Sequence, residues 1–167
     1  DYIMPDIKGD ELLKQIHEQS PDTLTIMLTG QADLQALSNS IKYANTVILM
    51  LDATNALEYQ DLNIANYTIE QGRSIVIAVN KWDLVKNKKE FIEEFEYLLE
   101  KNLPQVKGVP VVYLSATESS KTSEVLDKCL EIYSLWNKKI ATSKLNDWLQ
   151  FAIERHPLPL HKKLGRR

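Results

Sequence analysis

The run Asn80-Lys81-Trp82-Asp83 puts an amide, an ammonium, an indole and a carboxylate next to one another. It directly follows Ser74 to Val79, an almost unbroken apolar stretch. A carboxylate fixed at such a point can accept two N–H donors presented side by side. The Watson–Crick edge of guanine carries that pair. Adenine does not, and a buried Asp83 would be left unpaired against it, which is costly. A second short run, Ser115-Ala116, follows the apolar stretch Val109 to Leu114; taken alone it is an ordinary strand-to-helix turn. Other reactive groups read more plainly. His156 and His161 flank a proline-rich turn without acidic partners and are expected to face solvent rather than a metal. Cys129 falls on an apolar helix face and is expected to be core. Trp82, Trp136 and Trp148 are expected to pack, because a base-stacking surface wants several exposed aromatics together.

Composition excludes two common ways of holding phosphate. Only five glycines occur in 167 residues, at positions 9, 30, 72, 108 and 165. G-x-x-x-x-G-K-[ST] and G-x-G-x-x-G both need clustered glycines, so that backbone can approach phosphate without a Cβ in the way. A single cysteine leaves no disulfide framework and no zinc cluster. The longest apolar runs are too short to span a membrane, and no signal peptide is visible. The chain begins at Asp1 rather than Met and reads as a fragment of a cytoplasmic protein. Net charge is -3, but the end is basic, with Arg155, Lys162, Lys163, Arg166 and Arg167 and no acidic residue after Glu154. Such a tail reads either as an RNA contact or as a solvated terminus.

The elements that must position these residues alternate. Leu24 to Leu28, Thr46 to Leu51, Ser74 to Val79 and Val109 to Leu114 read as strands buried on both faces. Helical patterns cover Glu11 to Gln19, Ala32 to Lys42, Ala56 to Gln71, Lys89 to Lys101, Ser123 to Lys139 and Ser143 to Arg155. Gly72 is a natural stop for the third of these. Strand–helix alternation predicts an α/β fold, a doubly wound parallel sheet followed by a C-terminal helix. Ligands in such sheets sit beyond the carboxyl ends of the strands. The positions to inspect are therefore Thr29-Gly30, Asp52-Ala53-Thr54, Asn80 to Asp83 and Ser115 to Thr117.

N-K-x-D after a strand is the guanine-reading motif of GTP-binding proteins, and Ser115-Ala116 lies at the separation G domains use for their last base-contacting loop. Residues 42–167 resemble the Der (EngA) family of tandem-G-domain GTPases, which act in bacterial ribosome assembly. The resemblance runs through Tyr43-Ala44-Asn45, Ile48 to Thr54, Gln60-Asp61-Leu62, Val79 to Val85, Ser115-Ala116, Thr142 to Asn146 and Glu154 to Pro157. It implies the C-terminal half of a P-loop GTPase-like G domain at 42–140 and the truncated start of a KH-like domain, with its basic tail, at 141–167. It implies guanine-binding roles for Asn80 (bracing the loop), Lys81 (covering the base), Asp83 (reading the edge), and Ser115 and Ala116. It also implies GTP or GDP as ligand, and a ribosomal or rRNA partner. The family's phosphate loop, magnesium-binding threonine loop and D-T-A-G loop lie upstream of the matched region. The expectation is weak binding through base contacts alone, no metal site and no catalysis.

Residues 1–41 resemble a different family. Asp1-x-x-Met4-Pro5 with Gly9, then Leu28-Thr29-Gly30, is similar to a response-regulator receiver domain, a flavodoxin-like fold. The resemblance implies Asp1 as phosphoacceptor and Thr29 as the hydroxyl that senses it, and it accounts for Asp6 to Gly9 without a D-x-x-G motif. The upstream acidic pair and the downstream Lys-Pro are missing, so no phosphorylation is expected. The piece is expected to lie beside the strand at 46–51. An alternative reading of the chain is a signalling or scaffold module of receiver ancestry without a ligand.

Overall fold

The computed structural model describes residues 7–30, 34–104, 108–118 and 120–156. Asp1, His161 and the basic run from Lys162 to Arg167 lie outside the described residues. The chain divides into two units, Asp1–Trp136 and Asn137–Arg167.

The first unit is a parallel α/β sheet. Strands β1 (Ile26–Thr29), β2 (Thr46–Asp52), β3 (Ser74–Asn80) and β4 (Val111–Tyr113) lie side by side in chain order. All three pairings are parallel. The accompanying helices are α1 (Gly9–Gln19), α2 (Leu34–Tyr43), α3 (Tyr59–Glu70), α4 (Lys88–Asn102) and α5 (Thr122–Trp136). Parallel neighbours need a crossover between them, and right-handed crossovers in one direction put α2, α3 and α4 on the same face. Val47, Leu49 and Leu51 of β2 accordingly pack in one cluster with Ile41 of α2, Ile64 of α3 and Phe95 of α4. Ile48, Val76 and Ala78 point the other way and pack with Val125 and Cys129 of α5. β2 and β3 are thus apolar on both sides, and each large buried side chain contributes about 1.5–3 kcal/mol.

β1 is the edge strand beside β2, where the upstream piece is expected. It is half as convincing as a core strand: Leu28 is paired to Ile48 but 63% exposed. Its end is shaped by close approach. A Cβ on Gly30 would stand 3.1 Å from the Met50 carbonyl oxygen.

Several boundaries differ from the sequence reading: β1 begins at Ile26 rather than Leu24, and α5 ends at Trp136 rather than Lys139. α3 starts at Tyr59, not Ala56, because Leu57 takes a left-handed φ of 62° that no helix can include. Its first turn is held by Asp61, which accepts the Glu58 N–H at 2.9 Å. The expected stop is in place: Gly72 follows with φ 65°. The fourth strand is short, Val111–Tyr113.

The amino ends of the strands are tied by polar side chains. Asn45 Oδ1 accepts from Thr25 N–H (2.9 Å) and from the Thr25 hydroxyl (2.8 Å). Asn45 and Thr46 donate their N–H groups to the Thr25 carbonyl. The Thr46 and Ser74 hydroxyls share a buried hydrogen bond of 2.7 Å between β2 and β3. A guanidinium nitrogen of Arg73 donates to the Lys42 carbonyl.

In the second unit, α6 (Thr142–Arg155) buries no residue. Of the three tryptophans expected to pack, Trp82 is partly buried, while Trp136 is half exposed and Trp148 is 63% exposed. The helical spacing around Trp148 marks an amphipathic face, and spacing alone does not show that the face is covered. Trp136 is fixed by its indole N–H, which donates to the Gly72 carbonyl at 3.0 Å.

Candidate functional site

Register brings the inspected positions together. Asp52, the last residue of β2, lies opposite Asn80, the last residue of β3. The Ala53 N–H donates to the Asn80 carbonyl at 2.9 Å. On the other side, Leu114 N–H donates to the Val79 carbonyl (2.9 Å) and Trp82 N–H to the Leu114 carbonyl (3.1 Å). The chain ends of β2, β3 and β4 therefore form one continuous rim.

Asn80 joins the two motif loops. Its Oδ1 accepts the Ala116 N–H at 3.0 Å, across 36 residues of sequence. Of the donors at the Ser115-Ala116 turn, that N–H is engaged in holding the loops together. Ser115 is buried, and its hydroxyl lies 3.1 Å from that of Thr117.

Lys81 takes a left-handed conformation, φ 62° and ψ 34°, and so begins the short 3-10 turn Trp82–Leu84. Its ammonium lies 2.5 Å from Asp52 Oδ2. Asp52 is itself fixed, since its Oδ1 accepts from Thr54 N–H (2.9 Å) and the Thr54 hydroxyl (2.8 Å). The Lys81 ammonium, then the two Thr54 donors, hold the Asp52 carboxyl down at about 2. Asp52 stood among the strand-end positions to inspect, but its charge partner was not read from the sequence. Ions at the ends of neighbouring parallel strands meet through register, not through any sequence spacing.

Trp82 and Asp83 part company in the turn. Trp82 packs against Tyr113 at 4.4 Å between ring centroids and edge-on against Phe91 at 5.4 Å. Phe91 in turn stacks on Phe95 in the core. This aromatic anchor, not Asp83, is what ties the turn to the body. Asp83 is exposed rather than buried, and no hydrogen bond or ion pair holds it among the described residues. A carboxylate without a fixed donor stays hydrated, because burying it unpaired is too costly.

The remaining candidates lie elsewhere. Thr29 ends β1 opposite Leu49 and is buried. Cys129 is buried, and burial pushes its thiol up to about 11, which leaves it inert as a nucleophile. His156 is exposed after α6, and among the described residues no three His, Cys, Asp or Glu side chains gather as a metal site. A cavity of about 610 Å³ between α4 and β4 is lined by Glu96, Leu99, Leu103 and Val111 and shares no residue with the rim. No described helix is long and apolar enough to cross a membrane.

Residues 25–134 match the family model described as the Elongation factor Tu GTP binding domain. The match begins upstream of residue 42, so β1 and α2 fall within it. The chain is 62% identical over 131 residues to GTPase Der of Rickettsia akari (strain Hartford), covering 77% of this chain and 29% of that protein. It is 62% identical over 126 residues to GTPase Der of Rickettsia felis, covering 74% and 28%. The chain therefore spans under a third of the length of these curated relatives. Among solved structures, it is similar to Era in complex with MgGDPNP and a segment of 16S ribosomal RNA, with TM-score 0.50 and 20% identity over 59% of this chain and 32% of that one. A variant of Aquifex aeolicus Era bound to GDP and AlF4− gives the same score, identity and coverage. At that identity, the likeness to Era establishes the fold, a parallel sheet of the P-loop GTPase type.

Proposed function

Because this chain belongs to the elongation factor Tu GTP-binding domain family, we propose that the rim formed by β2, β3 and β4 reads the base of a guanine nucleotide. Asp83 accepts the two N–H donors of the guanine edge. Asn80 braces the loop, the Lys81 stem lies against the base, and the turn at Ser115-Ala116 closes the far side. The observation that supports this most directly is the 3.0 Å bond from Ala116 N–H to Asn80 Oδ1. It fastens the two motif loops to each other, so a base lying on one lies beside the other.

The five glycines form no cluster, so binding within this chain rests on base contacts and is weak. Phosphoryl transfer depends on positioned phosphates and metal charge. We assign this chain no turnover of GTP. The ribosomal RNA contact implied by the family resemblance would fall to the basic run ending at Arg167, and its mark would be a steep loss of affinity with salt.

The test is calorimetric titration of the 167-residue chain with GDP and with ADP. GDP binds weakly and ADP more weakly still. Asp83→Ala removes the preference while the melting temperature stays within about 1 °C, as expected for an exposed side chain. Equal affinity for the two nucleotides, or magnesium-dependent release of phosphate above background, would overturn the reading.

A further inference from the structure

We propose that Asp52 is a positioning residue for guanine recognition, holding the Lys81 side chain stretched across the gap between the ends of β3 and β2. The proposal rests on the reading of the rim given above and extends it to a residue outside the N-K-x-D run.

The geometry carries it. Asp52 and Asn80 face each other at the ends of their strands, and Lys81 is the next residue along. Lysine has a flexible four-carbon stem that ordinarily samples many rotamers. Here its ammonium is fixed 2.5 Å from Asp52 Oδ2, so both ends of the stem are pinned. The methylenes then form an apolar strip from the end of β3 to the end of β2. A base is flat and apolar on its face, and such a strip suits it. The left-handed backbone at Lys81 is uncommon for a residue with a Cβ, and the ion pair helps to hold it. Asp52 is in turn prevented from swinging away by the N–H and hydroxyl of Thr54. The ion pair thus biases Lys81 toward this position before any ligand arrives, and a ligand supplies less of the ordering. Asp52 and Asp83 have separate tasks: Asp83 meets the edge of the base, whereas Asp52 acts only through Lys81.

The division of labour gives the experiment. The 167-residue chain and its variants Asp52→Asn, Lys81→Met, the double variant and Asp83→Ala are titrated with GDP and with IDP, whose base lacks the exocyclic amine. Asparagine keeps an oxygen for the Thr54 N–H, so Asp52→Asn removes the charge without dismantling the turn, and melting curves check this. Asp52→Asn weakens GDP and IDP by the same factor, about five- to tenfold, the scale expected when one side chain must be ordered on binding. Lys81→Met does the same, and the double variant is no weaker than either single one. Losses that add would mean that the two side chains act independently, and a merely structural role would lower the melting temperature in step with the affinity. Additive losses, or an Asp52→Asn variant that binds like the parent, overturn the positioning role and leave the base-reading role of Asp83 standing. If instead the parent does not prefer GDP over IDP and Asp83→Ala changes nothing, the rim is not a guanine site and the positioning role falls with it.

Discussion

At the amino ends of the strands, Thr25, Asn45, Thr46 and Ser74 are hydrogen-bonded to one another and to backbone. At the carboxyl ends, Asn80, Lys81 and Asp52 are also engaged, while the exposed Asp83 of the same motif is not held among the described residues. At the first end these four side chains are all engaged, although the Nε of the neighbouring Arg73 is buried without a partner. The other is wired up to its last residue and then stops. Among the described residues, polar groups of the same kind are closed on one another at the first end and leave an exposed carboxylate at the second.

The contrast can be broken by substitution. The largest expected effect is at the first end. Thr46→Val removes one of the two partners of the Ser74 hydroxyl, which keeps its bond to the Asn45 carbonyl, and should cost up to about 1.5 kcal/mol in urea unfolding. GDP affinity should stay within about twofold, because the rim is at the opposite end of the strands. A Thr46→Val chain that lost GDP binding without losing stability would refute the separation. The next effect is mixed. Asn80→Ala frees the Ala116 N–H, so it should cost about 1 kcal/mol and weaken GDP about fivefold, read from the same unfolding curves and from calorimetry.

A smaller effect follows from acid. Asp52 titrates in the folded chain at about 2, below the ordinary carboxylate value of 3.8. Its contribution is therefore complete above about pH 4 and is lost as pH falls toward 2. Melting curves of the parent should show this step, and Asp52→Asn should lack that part of it. The step is modest because both partners are partly exposed. The smallest effect is at the sheet edge. Leu28→Thr should change stability by no more than about 0.5 kcal/mol, since the side chain is already largely in water. A larger loss in urea unfolding would mean that something covers β1.

How much of this could be read beforehand depends on the kind of signal. β2 and β3 are unbroken apolar runs, and a run buried on both faces has few other homes. Asn80 to Asp83 announced itself by following such a run. Leu24 to Leu28 read as a strand buried on both faces like the others, yet β1 is only partly buried, because burial depends on what packs over a strand and not on its own apolar run. The pairing of Lys81 with Asp52 could not be read, because residues 29 positions apart are brought together by strand register. The partial burial of Trp82 and the exposure of Trp148 are not told apart by their neighbours, since each tryptophan stands next to an aspartate. They differ only in what tertiary structure puts against them. The late start of α3 turns on one backbone angle at Leu57, a residue with no particular liking for it.

The strands stand in the sheet in the order in which they occur in the chain. During synthesis, each of β2, β3 and β4 therefore meets a described neighbour that has already emerged, and none of the four has to insert between two that are paired. Pairing advances in one direction, with each closure spanning a single crossover. The shortest strand, β4, joins last, and the Ala116 N–H that fastens the rim comes after it. A ribosome carrying this chain stalled before β4 would hold Asn80 to Asp83 in full view, yet without the bond that braces them. The braced rim would be the final feature this sheet acquires.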